Sequence, residues 1–131
     1  MAEFLKLTMI TIYLGEDVFY EGEPMYKAIM KKAMEQKIAG CTMVKCDGGY
    51  GSKIRGQERR FLINFSDPIN LPIMLKLVDR KEQIEKIYPF LTEHLKHGLA
   101  TVTEVDALKT DFIKEQINAE VGQRQKPKHE K

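Results

Sequence analysis

Gly40-Cys41-Thr42-Met43-Val44-Lys45-Cys46-Asp47-Gly48-Gly49-Tyr50-Gly51 is a strand-like run that empties into a glycine cluster and then into the charged segment Ser52 to Arg60. Glycines at a strand end let backbone N–H groups approach a ligand closely, because they carry no Cβ and accept positive φ. From Lys45 to Arg60 five basic residues (Lys45, Lys53, Arg55, Arg59, Arg60) stand against two acidic ones (Asp47, Glu58), a local +3 in a chain whose total is +2. Glycine and charge alone fit an anion-cradling loop and a solvated hairpin loop equally well. The flanking sequence has to decide between them.

Upstream, Glu3 to Leu14 reads as a strand that ends at Gly15. One side carries Phe4, Lys6, Thr8, Ile10, Ile12 and Leu14, the other Leu5, Leu7, Met9, Thr11 and Tyr13, so neither is cleanly polar and both are expected to be covered. Pro24 suits a first helical turn, and Tyr26, Ile29, Met30 and Ala33 form an i, i+3, i+4, i+7 stripe before Gly40, which is expected to close the segment. The second strand then runs from Cys41 to about Asp47.

Downstream, Phe61 to Phe65 reads as the return arm of a hairpin, Ser66-Asp67-Pro68-Ile69-Asn70 has turn chemistry, and Leu71 to Val78 is a third long strand. Asp79 is the expected N-cap of a helix with the stripe Ile84, Ile87, Tyr88, Leu91 and Leu95, inside which Pro89 should cause a kink or cost one hydrogen bond. Gly98 is expected to end it as a positive-φ cap, with His94, Lys96 and His97 near the negative end of the dipole. Leu99 to Val105 is a short fourth strand. The order β-α-β-β-α-β is that of the α+β ferredoxin-like split βαβ unit, an antiparallel sheet with both helices on one face. Its free face would expose more apolar surface than soluble monomers usually do, which predicts an oligomer. Residues 1–106 are read as this domain, and 107–131 as a C-terminal helix (stripe Leu108, Phe112, Ile113, Ile117, Val121) with a frayed polar tail from Gly122.

With 131 residues, 43% hydrophobic and 31% charged, the chain has the composition of one globular domain. No run approaches the ~18 apolar residues of a membrane span, and no signal peptide is read, so the cytoplasm is the expected compartment, without direct membrane insertion. Cys41 and Cys46 lie five apart on a strand, on opposite faces, and are expected to stay reduced.

Gly40-Cys41-Thr42-Met43-Val44, followed by Gly49-Tyr50-Gly51 at the mouth of a long loop, resembles the Gly-x-Thr-Val…Gly-Phe-Gly passage of PII signalling proteins, whose long loop is the T-loop. The likeness is closer to the PII-like family called domain of unknown function 190, which shares the early Gly15-Glu16 and the additional residue before the glycine triplet. It extends over about Phe4 to Val105 and rests also on Leu71-Pro72-Ile73 to Val78-Asp79 and on Gly98 to Val105. The resemblance implies a homotrimer with its sheets facing inward, adenine nucleotides in the clefts between subunits, and a T-loop, here Gly48 to Arg60, that a regulated partner protein reads. Carried over by position, the nucleotide would meet Gly40, Cys41 and Thr42, the loop base Gly48, Gly49, Tyr50 and Gly51, and the loop Lys96, His97 and Gly98 that follows the second helix. PII proteins place a polyphosphate-binding lysine after that last glycine, whereas Leu99 stands here, which favours AMP or ADP over ATP. Lys53, Arg55, Arg59 or Lys109 could supply phosphate or partner contacts instead. Cys46 stands where the nearer family has glycine, and no tyrosine for uridylylation can be located, so that modification is not implied.

Other classes compete for the same fold. An RNA-binding sheet needs a Gly-containing aromatic motif on a central strand, and Arg59-Arg60-Phe61-Leu62-Ile63-Asn64-Phe65 lacks the glycine. A metal-handling oligomer or an enzyme would need a ligand set or nucleophile; His94 and His97 have no third ligand nearby in sequence, and no nucleophile and base pair is visible. The expectation is therefore a non-catalytic sensor with no required cofactor and no resident metal, and without nucleic acid as a partner.

Overall fold

The computed structural model describes residues 1–47 and 72–125. These form two compact units, Leu7–Val105 and a terminal unit made of Met1–Lys6 with the chain from Asp106 onward. The expected return arm Phe61 to Phe65 and its turn lie outside the described residues.

Among the described residues four long strands make one sheet: β1 (Phe4–Gly15), β4 (Gly40–Lys45), β5 (Pro72–Asp79) and β6 (Gly98–Leu108), in the order β4-β5-β1-β6. Strand β5 pairs antiparallel with β1 from Thr8↔Asp79 to Gly15↔Pro72, and with β4 from Gly40↔Val78 to Lys45↔Ile73. Thus β1 and β4 run the same way with β5 between them, the split βαβ arrangement of the ferredoxin-like fold. Alternation sends Ile10, Ile12 and Leu14 of β1 and Ile73, Leu75 and Leu77 of β5 to the helical side, where all six are buried. Helix α1 (Met25–Glu35) adds Met25, Ile29 and Ala33 to this core, and the second helical segment adds Ile84, Ile87 and Leu91. Each large aliphatic side chain taken fully out of water contributes about 1.5–3 kcal/mol, so this layer holds the unit together.

Between β1 and α1 a small hairpin, β2 (Phe19–Tyr20) with β3 (Glu23–Pro24), was not legible as strand. Its two turn residues, Glu21 (φ 49°) and Gly22 (φ 84°), both have positive φ, the geometry that matches the twist of a two-residue hairpin. Pro24 precedes α1, and the Met25 N–H donates to Val18 O at 2.7 Å instead of to a capping side chain.

Gly40 does not close α1. Lys37 does, at φ 59°: its N–H donates to Met34 O and that of Ile38 to Ala33 O, the paired bonds of a Schellman ending. Lysine replaces the usual glycine there, and the Gln83 side-chain amide donates to Gln36 O (3.3 Å) and Lys37 O (3.1 Å), fastening the turn. Gly40 is instead the first residue of β4.

The expected single helix from Asp79 to Gly98 is three pieces: α2 (Lys81–Ile84), a 3₁₀ turn (Glu85–Ile87) and α3 (Tyr88–His94). Pro89 falls in the first turn of α3, where an N–H has no helical acceptor to lose. Asp79 is not the N-cap. Arg80 holds that place without a side-chain cap, and Asp79 ends β5. Gly98 is not a positive-φ cap either; α3 ends at His94, and Gly98 opens β6.

In the terminal unit, β6 continues beyond the expected Val105 to Leu108, and Lys109 N–H donates to Glu3 O at 2.9 Å. Lys6 and Asp106 form an exposed ion pair at 3.5 Å. Helix α4 (Asp111–Gln125) is capped by Thr110, whose Oγ1 accepts from the Ile113 N–H. It runs four residues into the stretch expected to be frayed, since Gly122 is helical.

Candidate functional site

The start of β4 is built by a buried carboxylate. Asp79, at the end of the neighbouring strand, accepts from the Ala39 N–H at 2.9 Å and the Arg80 N–H at 2.7 Å, which fixes the backbone one residue before Gly40. From there the alternation of β4 separates the three residues assigned to it. Cys41 turns to the helices and packs against the core, and burial raises its thiol pKa, so it is a poor nucleophile. Gly40 and Thr42 are exposed, and the Thr42 hydroxyl can donate or accept on the outward face. At the far end of the strand Lys45 Nζ lies 3.5 Å from Glu16 Oε2, so an ion pair links the turn after β1 to the base of the glycine loop. Glu16 was singled out in the sequence only as half of Gly15-Glu16.

The other group follows α3. Leu95 N–H donates to Leu91 O and Lys96 N–H to His94 O, which ends the helix and leaves Lys96, His97 and Gly98 exposed. Gly98 is required there by close approach: an added Cβ would lie 2.8 Å from Tyr13 O and 2.9 Å from Leu95 Cδ1. Just before it, His94 forms a ring cluster with Tyr20 (4.8 Å) and Phe90 (4.9 Å), which holds the small hairpin against α3. Burial first, then the carboxylates of Glu21 and Glu93, raise the Tyr20 phenol above its ordinary pKa.

One chain does not bring these two groups together. Among the described residues, β4 and β6 are the outer strands of the sheet with β5 and β1 between them, a separation of about 14 Å at the usual strand spacing. They are offset along the strands as well. Gly40 is level with Val78 and Met9, whereas Gly98 lies against Tyr13 and Leu14, at least four residues further along β1. Lys109 belongs to the terminal unit, and Gly48, Gly49, Tyr50, Gly51, Lys53, Arg55 and Arg59 lie outside the described residues. Among the described residues no group of three His, Cys, Asp or Glu could hold a metal ion, and no helix is long and apolar enough to cross a membrane.

Sheet order, register and helix placement define a protein of the ferredoxin-like fold. Solved structures share this fold. A candidate PII-like signalling protein from Thermus thermophilus superposes with a TM-score of 0.55 at 18% identity, over 86% of this chain and 97% of that one. CPII, a nitrogen regulatory PII-like protein from Thiomonas intermedia K12 solved with ADP, AMP and bicarbonate, gives 0.54 at 16% identity, over 80% and 91%. Residues 7–107 match the family called DUF190, described as "Uncharacterized ACR", and the chain belongs to that family. A UPF0166 protein of Methanocaldococcus jannaschii is 37% identical over 106 residues, 80% of this chain and 94% of the relative; one from Aquifex aeolicus is 29% identical over 106 residues, 79% and 95%.

Proposed function

We propose that the protein is a PII-like sensor that assembles as a homotrimer, binds an adenine nucleotide in the clefts between copies, and signals to a partner protein through its T-loop, residues 48–60. One observation carries the reading: the two groups of site residues sit on the two outer strands of the described sheet, with two strands between them, and at different levels, so that one ligand would reach both by bridging two copies. Gly40, Cys41 and Thr42 of one copy then face Lys96, His97 and Gly98 of the next, and Gly48, Gly49, Tyr50 and Gly51 belong to the same nucleotide site. The outward sheet face supports assembly, since Tyr13, Val44 and Leu99 are 46%, 37% and 59% exposed in a single copy. The capture of ADP and AMP by CPII supports the ligand class. Leu99 after Gly98 supports a mono- or diphosphate over ATP, with Lys53, Arg55, Arg59 or Lys109 as the remaining cations. Assembly in the cytoplasm suits both a nucleotide ligand and a protein partner.

Isothermal titration with AMP, ADP and ATP tests this. Saturable heat is expected for AMP or ADP at lower concentration than for ATP. Absence of heat with all three overturns nucleotide sensing, and tighter ATP binding overturns the preference.

A further inference from the structure

One residue breaks the pattern of the outward sheet face. Within residues 7–105 the outward positions of β1, β4, β5 and β6 are apolar, aromatic, glycine or threonine except for Lys76, and none is Asp or Glu. Lys76 is in register with Thr11 of β1 on one side and Thr42 of β4 on the other. Apolar rows bracket this polar one, with Met74 and Tyr13 before it and Val78 and Met9 after it. Thr11 is only 4% exposed and Lys76 is half-buried already in the single copy. Among the described residues no carboxylate pairs with the Lys76 ammonium.

Among the described strands β5 and β1 are the central pair, so Lys76 and Thr11 straddle the midline of that four-stranded sheet. A closed ring of copies that turns these faces inward, midline toward the axis, would gather the Lys76 side chains there. A covered ammonium without a counter-charge is unfavourable, and several brought together repel one another. A bound anion removes both difficulties, and threonine hydroxyls are ready donors to it. Resting on the trimer reading above, we propose that three Lys76 ammonium groups, with the hydroxyls of Thr11, hold one small inorganic oxyanion on the three-fold axis. A tetrahedral oxyanion such as sulfate or phosphate, which presents three oxygens around an axis through the fourth, fits the symmetry of that donor set. This site is separate from the nucleotide clefts, which lie at the outer strands.

Isothermal titration of sulfate into the nucleotide-free, full-length protein tests the proposal, with ionic strength held constant by chloride and the mass followed by sedimentation. The expected result is saturable binding of one sulfate for every three chains. Lys76→Met should weaken it by about tenfold or more without changing the sedimenting mass, and Lys76→Arg should retain it. A trimer with no saturable heat, a stoichiometry of one sulfate per chain, or unaltered binding in Lys76→Met overturns the axial site and leaves the nucleotide reading standing. A protein that stays monomeric overturns both. If Lys76→Met does not fold, the wild-type stoichiometry and the Lys76→Arg variant still decide.

Discussion

Asp79 joins two strand ends through one side chain. Its carboxylate accepts the N–H groups of Ala39 and Arg80, so the end of β5 is tied to the residue that leads into β4. Asp79→Ala removes the acceptor of both and should cost about 1–3 kcal/mol, read as a lower urea midpoint with an unchanged slope. Asp79→Asn retains one acceptor oxygen and should recover part of the loss. The sequence made Asp79 visible but misassigned it, because Asp before a helical stripe has the same composition whether it caps the helix or reaches across to another strand. Gly98 is a similar case. Its glycine character was legible, yet the cause is the Tyr13 carbonyl packed against it, a non-local contact with no trace in the local sequence. Lys76 did leave a signal, a lone charge in the apolar run Ile73-Met74-Leu75-Lys76-Leu77-Val78, but its meaning needs the register that sets it between two threonines.

At the scale of elements, hydrophobic periodicity located every long strand and helix of the described residues, because burial on one side of a sheet enforces it. What periodicity could not supply was how each helix begins and ends. The stripe Ile84, Ile87, Tyr88, Leu91 is continuous, and the backbone beneath it is not: a 3₁₀ turn at Glu85–Ile87 restarts the helix so that Pro89 enters a first turn. A proline there gives up no helical hydrogen bond. Pro89→Ala should therefore shift the unfolding free energy by no more than about 1 kcal/mol in urea titration, most of it through the greater freedom of the unfolded chain. A mid-helix proline would behave differently, and its removal should stabilise by several kcal/mol on the ~3 kcal/mol scale of interior prolines. The β2–β3 hairpin escaped notice for a related reason. Its strands are two residues long, too short for alternation, and Glu21 at positive φ is not the residue a turn search looks for.

For the whole molecule, the proposed site couples assembly to ligand binding. Strand order was legible because β-α-β-β-α-β with a two-sided apolar first strand admits few topologies, and that order puts Gly40–Thr42 and Lys96–Gly98 at the two outer strands of the described sheet. If one nucleotide touches both groups, it bridges two copies, and its affinity must depend on whether the copies are joined. Tyr13→Lys combined with Leu99→Lys tests that dependence without altering any residue proposed to touch the nucleotide. Both positions lie on the outward face, where they are exposed in the single copy, and the new ammonium groups repel those of Lys76 on facing copies. The double variant should keep its circular dichroism, sediment as a monomer, and bind ADP about tenfold or more weaker than the wild type, within the usual range of coupling between sites. Linkage requires the converse in the wild type: saturating ADP should lower the concentration at which the oligomer dissociates by the corresponding factor. A folded monomer that binds ADP as tightly as the wild type would place the nucleotide within a single chain and remove the reason for the two groups of residues to meet.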